Sequence, residues 1–163
     1  MPHTHRGESS PKSAWGKTPR PGISFEQGVI AFSRIAIFVV YFWFGILKVV
    51  GTSPASPLVA SLLEHTLPFI KFPTFLVLFG LLEMAIGILF LIPRLEWLAL
   101  ALFIPHMITT CGPLVLLPPV TWQSFLTPTL AGQYIIKNVV LVALALSIVV
   151  RVRPSGARAA DPA

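Results

Sequence analysis

Four long blocks of apolar residues limit what this chain can fold into. A helix needs about 20 apolar residues to cross the hydrocarbon core of a bilayer. Blocks of that length occupy residues 28–50, 73–92, 95–117 and 130–150. Charged residues make up only 11% of the chain, whereas soluble domains carry about 25%. The sequence therefore predicts an all-α integral membrane protein, a four-transmembrane-helix bundle with its membrane domain at residues 25–151.

Basic residues at the two ends of the chain predict its orientation. Residues 1–24 are rich in Pro, Ser, Gly and basic residues, which predicts a disordered tail in which His3 and His5 are not metal ligands. Residues 152–163 are predicted to be a second flexible basic tail. Because basic residues mark the cytoplasmic side, four spans place both termini and the Arg94 turn in the cytoplasm. The net charge of +6 is thus a topology signal, and nucleic acid is not an expected partner.

The segment between the first two spans is predicted to form a short interfacial helix. Ser56-Pro57 fits a helix start, because proline is favoured at the first helical position. Apolar residues then alternate with polar ones up to Pro68, as in amphipathic helices that lie on a membrane surface. Farther along the chain, Pro105 and Pro113 are predicted to kink the third span, and residues 118–131 are predicted to be an uncharged loop.

The second span carries a single carboxylate, Glu83, near its middle. A charge at that depth is expensive unless it faces protein and finds a partner. Gly80 and Gly87 lie three residues before it and four after it, on the same helix face. Glycines at this spacing let a neighbouring backbone come close, so Glu83 is predicted to point at another helix.

The first span supplies polar residues that suit such a partner. Arg34, Tyr41 and Lys48 follow one another at intervals of seven residues and share one helix face with Gly45. Arg34 lies closer to the cytoplasmic side, where we interpret it as a charge that reaches the headgroups. The opposite face is assigned to lipid; it comprises Ile37, Val40, Phe44 and Leu47.

These residues lead to the hypothesis of a buried polar cluster around Glu83. Its cationic partner is either Lys48 or Lys137, and the alternative for each lysine is to extend to the outer membrane interface. Three more polar residues are expected nearby, namely Tyr41, His106 and Asn138. We interpret His106 as a hydrogen-bonded bundle residue, and no metal ligand is assigned.

Three short motifs resemble the DoxX-like family of small membrane proteins. Arg34 with Phe42-Trp-Phe-Gly-Ile-Leu-Lys48 is similar to the first-helix pattern of that family. Gly80-Leu-Leu-Glu83-Met-Ala-Ile-Gly87, continuing to Pro93-Arg94, resembles its second-helix signature. Tyr134-Ile-Ile-Lys137-Asn138 resembles the start of its fourth helix. The resemblance covers about residues 28–150 in the right order.

The resemblance implies a four-helix bundle in the bacterial plasma membrane with a link to redox chemistry. The family takes its name from a membrane subunit of a thiosulfate:quinone oxidoreductase. A quinone is therefore the candidate cofactor. Besides the lipid bilayer, the candidate partners are a soluble redox protein and further copies of this chain.

Three functions remain open at this point. The first is a membrane subunit of a quinone-linked redox complex that contacts quinone near Glu83, His106 and Tyr41 and is not an enzyme on its own. The second is a small transporter or permeation unit that uses the buried charges as its site. The third is a membrane anchor or assembly factor in which those charges only specify packing. A thiol–disulfide oxidoreductase acting alone is excluded, because Cys111 is the single cysteine.

Overall fold

A computed structural model describes the backbone of residues 22–152 and the side chains of residues 25–151. The described residues form eight helices and one two-stranded hairpin: α1 (Gly22–Val49), α2 (Ser56–Thr66), α3 (Phe72–Leu91), α4 (Glu96–Cys111), α5 (Pro113–Leu116), α6 (Pro118–Thr121), β1 (Trp122–Ser124), β2 (Thr127–Pro128), α7 (Leu130–Ile136) and α8 (Asn138–Val152). The two predicted tails lie outside the described residues, except for residues 22–24 and Val152, which belong to α1 and α8.

Four segments are long and apolar enough to cross a membrane, as the sequence predicts for a multi-pass membrane protein. They are Phe25–Val49, Phe72–Leu91, Glu96–Leu116 and Leu130–Arg151. The third combines α4 with α5, and the fourth combines α7 with α8. α1 begins six residues before the predicted start of the first span. The helix extends past the apolar block because helical hydrogen bonds satisfy the backbone N–H and C=O groups of polar residues as well as of apolar ones.

The four spans pack as a ring in which α1 contacts α3, α3 contacts α4, α4 contacts α8, and α8 contacts α1. The buried core lies inside this ring and includes Phe90, Phe103, Ile86 and Ile148. Ile37 also belongs to it and is fully buried, so its assignment to the lipid face is wrong. Its position is one helical turn before Tyr41, and that face of α1 packs against the other spans.

The predicted helix between the first two spans is present as α2, which packs against α3 and α5. Pro57 stands in its first turn, where the absence of a backbone N–H costs nothing. Leu63 is its buried residue, and the helix ends at Thr66 before Pro68. α2 therefore covers the end of the bundle at which α1 ends and α3 begins.

The predicted loop at 118–131 is more ordered than its composition indicates. It contains α6 and an antiparallel pairing of β1 with β2. Threonine hydroxyls satisfy the backbone here: Thr129 Oγ1 donates to Val120 O at 2.8 Å and accepts from Gly132 N at 3.1 Å. Trp122 Nε1 donates to Leu114 O at 2.9 Å. These local bonds fold a segment that lacks the periodicity of a helix or a strand.

Candidate ligand-binding site

Four polar side chains from three spans form one buried, hydrogen-bonded chain. Lys48 Nζ donates to both oxygens of Glu83, at 2.9 Å and 2.6 Å. His106 Nε2 lies 3.1 Å from Glu83 Oε1, and Tyr41 Oη lies 3.3 Å from His106 Nδ1. All four residues are at most 6% exposed. We call Tyr41, Lys48, Glu83 and His106 the polar cluster.

Close approach of two backbones brings Lys48 and Glu83 together. A Cβ atom at Gly45 would lie 2.6 Å from Gly80 O, and a Cβ atom at Gly80 would lie 2.6 Å from Gly45 O. Only glycine fits at both positions. Lys48 and Glu83 each follow their glycine by three residues, so both side chains project from the point where α1 meets α3.

Gly87 lies two helical turns after Gly80 on α3, and it allows α3 to approach α1 closely beside Tyr41. A Cβ atom at Gly87 would lie 3.1 Å from Tyr41 Cβ. The glycines predicted from the sequence therefore set the geometry of the polar cluster as well as the helix packing.

Aromatic contacts hold the imidazole of His106 in place. Its ring stacks on Phe79 at a centroid distance of 4.7 Å, and the Tyr41 ring lies at 5.3 Å. A carboxylate only accepts hydrogen bonds. In a neutral imidazole, Nε2–H therefore donates to Glu83, and Nδ1 accepts from the Tyr41 hydroxyl. His106 thus connects the phenol to the Glu83–Lys48 ion pair.

The polar cluster lines a cavity of about 650 Å³. The rest of its wall is mostly apolar and comes from all four spans and from α2. Ligand-binding cavities typically measure about 300–1,000 Å³ and combine apolar walls with a few polar groups. This cavity has both properties, and it is the candidate site.

The lining of the cavity reaches the outer surface of the bundle at α1 and α7. Its rim includes Phe44 on α1 and Leu130 and Tyr134 on α7. These three side chains are exposed, Leu130 by 69% and Tyr134 by 62%. A second cavity of about 310 Å³ shares Phe79 and His106 with the first and is lined mainly by apolar residues of α2, α3 and α4.

Lys137 does not join the polar cluster, which corrects one of the two predicted pairings. Its side chain is exposed, and its Nζ lies 5.1 Å from the ring centroid of Tyr134. Lys137 follows the last residue of α7, where its stem extends outward over the aromatic ring. Asn138 lines the cavity but makes no hydrogen bond to the cluster.

Arg34 forms a second buried ion pair, in place of the predicted contact with headgroups. Its guanidinium donates to Glu96 Oε1 and, through Nη1, to Phe90 O at 2.8 Å. The Arg34 side chain is 12% exposed and that of Glu96 4%. The sequence does carry a signal for this pair. Glu96 begins the third apolar block at the end of the bundle where Arg34 lies, and a buried cation there needs an anion.

Arg94 stays exposed in the turn between α3 and α4. Its backbone has a φ of +75°, a left-handed conformation that non-glycine residues rarely adopt. The turn places Glu96 two residues later, in the first turn of α4. Arg94 therefore contributes a surface charge and a tight turn.

In the described part of the chain, the candidate groups for holding a cofactor are the side chains that line the 650 Å³ cavity. No group of three or more His, Cys, Asp or Glu side chains within residues 22–152 could hold a metal ion. The polar cluster instead offers hydrogen bonds to an organic ligand, from the Tyr41 hydroxyl and from the third N–H of the Lys48 ammonium group.

No family model, curated protein or solved structure matches this chain. The chemistry of the site is therefore interpreted from its own residues.

Proposed function

We propose that this chain is a DoxX-like, quinone-binding membrane subunit of a redox complex. The observation that carries the proposal is the position of the polar cluster in the wall of an apolar cavity that reaches the outer surface of the bundle at α1 and α7. A lipid-soluble ligand with a polar head group needs these features: a path from the bilayer, apolar walls and a few hydrogen-bonding groups.

A quinone fits this chemistry because its ring carries carbonyl acceptors and its tail is apolar. When His106 is neutral, the Tyr41 hydroxyl donates to its Nδ1, and by turning it would donate to a ring carbonyl. The apolar tail would leave through the opening at Phe44 and Tyr134.

The polar cluster also supports proton transfer to such a ligand. Conversion of a quinone into a quinol takes up two protons and two electrons. Tyr41, His106, Glu83 and Lys48 form a continuous series of hydrogen bonds. A proton that Tyr41 loses to the ligand would be replaced from His106 in its doubly protonated form, whose Nδ1–H points at the Tyr41 oxygen. A soluble redox partner would supply the electrons, which makes this chain a non-autonomous subunit.

We place the protein in the bacterial plasma membrane with both termini in the cytoplasm. The exposed Arg94 turn and Arg151 lie at the end of the bundle that holds the termini, as the preference of basic residues for the cytoplasm requires. In this orientation the cavity, α2 and the β1–β2 hairpin lie in the outer half.

Photolabelling tests this proposal directly. The purified protein in lipid nanodiscs is irradiated with an azido-substituted quinone, and the labelled peptides are identified by mass spectrometry. We expect saturable labelling of α1, α4 and α7 that excess unlabelled quinone competes away. Tyr41→Phe should weaken the labelling. Glu96→Gln should not weaken it, because Glu96 lines neither cavity.

Labelling that is uncompeted, or spread over all lipid-facing surfaces, would contradict quinone binding. In a folded protein that result would favour the anchor or assembly role, in which the polar cluster specifies only packing.

A further inference from the structure

Asn138 lines the cavity but makes no hydrogen bond to the polar cluster. It is the first residue of α8, half-buried, and part of the wall of the 650 Å³ cavity. Its side chain makes no hydrogen bond to any residue that the structure describes. A side-chain amide offers two donor hydrogens and an acceptor oxygen, and all of these remain available to a molecule in the cavity.

Asn138 and the polar cluster line the same cavity from different helices. The cluster comes from α1, α3 and α4, and Asn138 comes from α8, which closes the ring of spans between α4 and α1. Tyr41 lies eight residues before the end of α1, and Asn138 lies eight residues after the start of α7. At 1.5 Å per residue, both are about 12 Å from the same end of the bundle.

We propose that Asn138 is the second hydrogen-bonding contact of the ligand, so that the site selects rings with oxygen atoms on two opposite edges. This inference rests on the proposed quinone function and narrows its ligand class. In a 1,4-quinone the two carbonyl groups point away from each other. One accepts a hydrogen bond from Tyr41, and the other accepts one from the Asn138 amide.

A ring with one carbonyl satisfies only one side of such a site. A ligand of this kind leaves the Asn138 amide without a partner, as in the protein without ligand. Replacing Asn138 should therefore not change the affinity of the protein for the one-carbonyl ligand. A site built to bond a given polar group discriminates against analogues that lack it. Asn138 is therefore a specificity-determining residue, and its effect should depend on the second oxygen of the ligand.

Two ligands and two variants test this inference. Equilibrium binding to the full chain in nanodiscs is measured for a decyl-substituted 1,4-benzoquinone and for a decyl-substituted cyclohexenone, which carries one carbonyl. Asn138→Leu should weaken quinone binding roughly two- to ten-fold, the worth of one hydrogen bond, and leave cyclohexenone binding unchanged. The matched control is Gln133→Leu, because Gln133 is exposed on the preceding helix and should affect neither ligand.

Asn138→Leu that binds the quinone as tightly as the wild type would overturn this inference and leave the proposed function standing. Equal weakening of both ligands would also overturn it, because the effect would then come from the shape of the wall. Failure of the wild type to bind the quinone would overturn both proposals. Binding of the cyclohexenone reports in each case that the variant is folded.

Discussion

Two buried ion pairs join α1 to its neighbours, and they differ in what surrounds them. Lys48–Glu83 joins α1 to α3, and Arg34–Glu96 joins α1 to the start of α4. They lie about 21 Å apart along α1, at 1.5 Å for each of 14 residues. Lys48 and Glu83 line the 650 Å³ cavity, whereas Arg34 and Glu96 line neither that cavity nor its smaller neighbour.

Under the proposed function, this difference separates a charge that specifies packing from one that serves a ligand. Arg34 and Glu96 are satisfied by each other and by the Phe90 carbonyl, and both are surrounded by protein. Glu83 instead connects Lys48 to His106 and Tyr41, whose polar atoms face a cavity. Charge and burial are alike in the two pairs, so the cavity is the feature that distinguishes them and makes the polar cluster the candidate site.

The largest effect on stability is expected at the packed pair. Arg34→Leu leaves the buried Glu96 carboxylate and the Phe90 carbonyl without their donor. Breaking such a pair from one side costs about 3–5 kcal/mol of unfolding free energy. Titration with a denaturing detergent, followed by circular dichroism, measures this loss. The double variant Arg34→Leu with Glu96→Leu should recover most of it, and a single variant as stable as the wild type would contradict a packing role.

Glu83→Gln should have a smaller effect on stability and a larger effect on ligand binding. The amide oxygen that this substitution introduces still accepts from Lys48, and the adjoining cavity gives the ammonium group room for hydration. We expect a loss of roughly 1.5–3 kcal/mol, as for a hydrogen bond to a charged group, and at least a roughly ten-fold loss of quinone affinity. Glu96→Gln is the matched control in the same binding assay, and an equal loss of affinity there would remove the distinction between the pairs.

Gly80→Ala tests whether backbone contact sets the polar cluster. The added methyl group would lie 2.6 Å from Gly45 O, so α1 and α3 must separate and Lys48 must move relative to Glu83. Overpacking of this kind costs roughly 1–3 kcal/mol, and quinone affinity should fall with it. At Gly28 a Cβ atom has open space, so Gly28→Ala serves as the control. Equal stability of the two variants would show that the close contact is unimportant.

The smallest effect is expected at the exposed lysine. Lys137→Leu removes only the contact with the Tyr134 ring, which is worth about 0.5–1 kcal/mol at exposed sites. Quinone affinity should be unchanged. The same substitution at Lys48 leaves Glu83 without its cation and should destabilise the protein far more. Equal unfolding free energies for the two lysine variants would contradict the role of Lys48 as the stabilising cation of Glu83.

Much of the fold follows from patterns that the sequence states directly. The four spans come from block length and α2 comes from its proline and its amphipathic pattern. The spacing of Gly80 and Gly87 around Glu83 indicates a face for close packing. These features depend on residues near one another in the chain, and local periodicity is sufficient to find them.

The features that the sequence left open depend on the relative rotation of the helices. Lys48 and Lys137 are equivalent as partners of Glu83 until the Gly45–Gly80 contact sets the angle between α1 and α3. The Arg34–Glu96 pair joins residues 62 positions apart, and no local pattern connects them. The cavity is likewise a property of all four spans together. The periodicity of a single helix does not show how that helix is rotated relative to its neighbours, and these three features depend on that rotation.

Ligand-induced stabilisation tests most directly whether the polar cluster, and not the packed pair, serves a ligand. The thermal midpoint is measured for the wild type, Glu83→Gln and Glu96→Gln, each with and without a decyl-substituted quinone. A ligand at 100 times its dissociation constant adds about 2.7 kcal/mol to the stability of the state that binds it. We expect that increase in the wild type and in Glu96→Gln, whereas Glu83→Gln, with an affinity at least roughly ten-fold lower, should gain at most about 1.4 kcal/mol at the same quinone concentration. An equal increase in both variants, or none in the wild type, would contradict the assignment of the cavity as a quinone site.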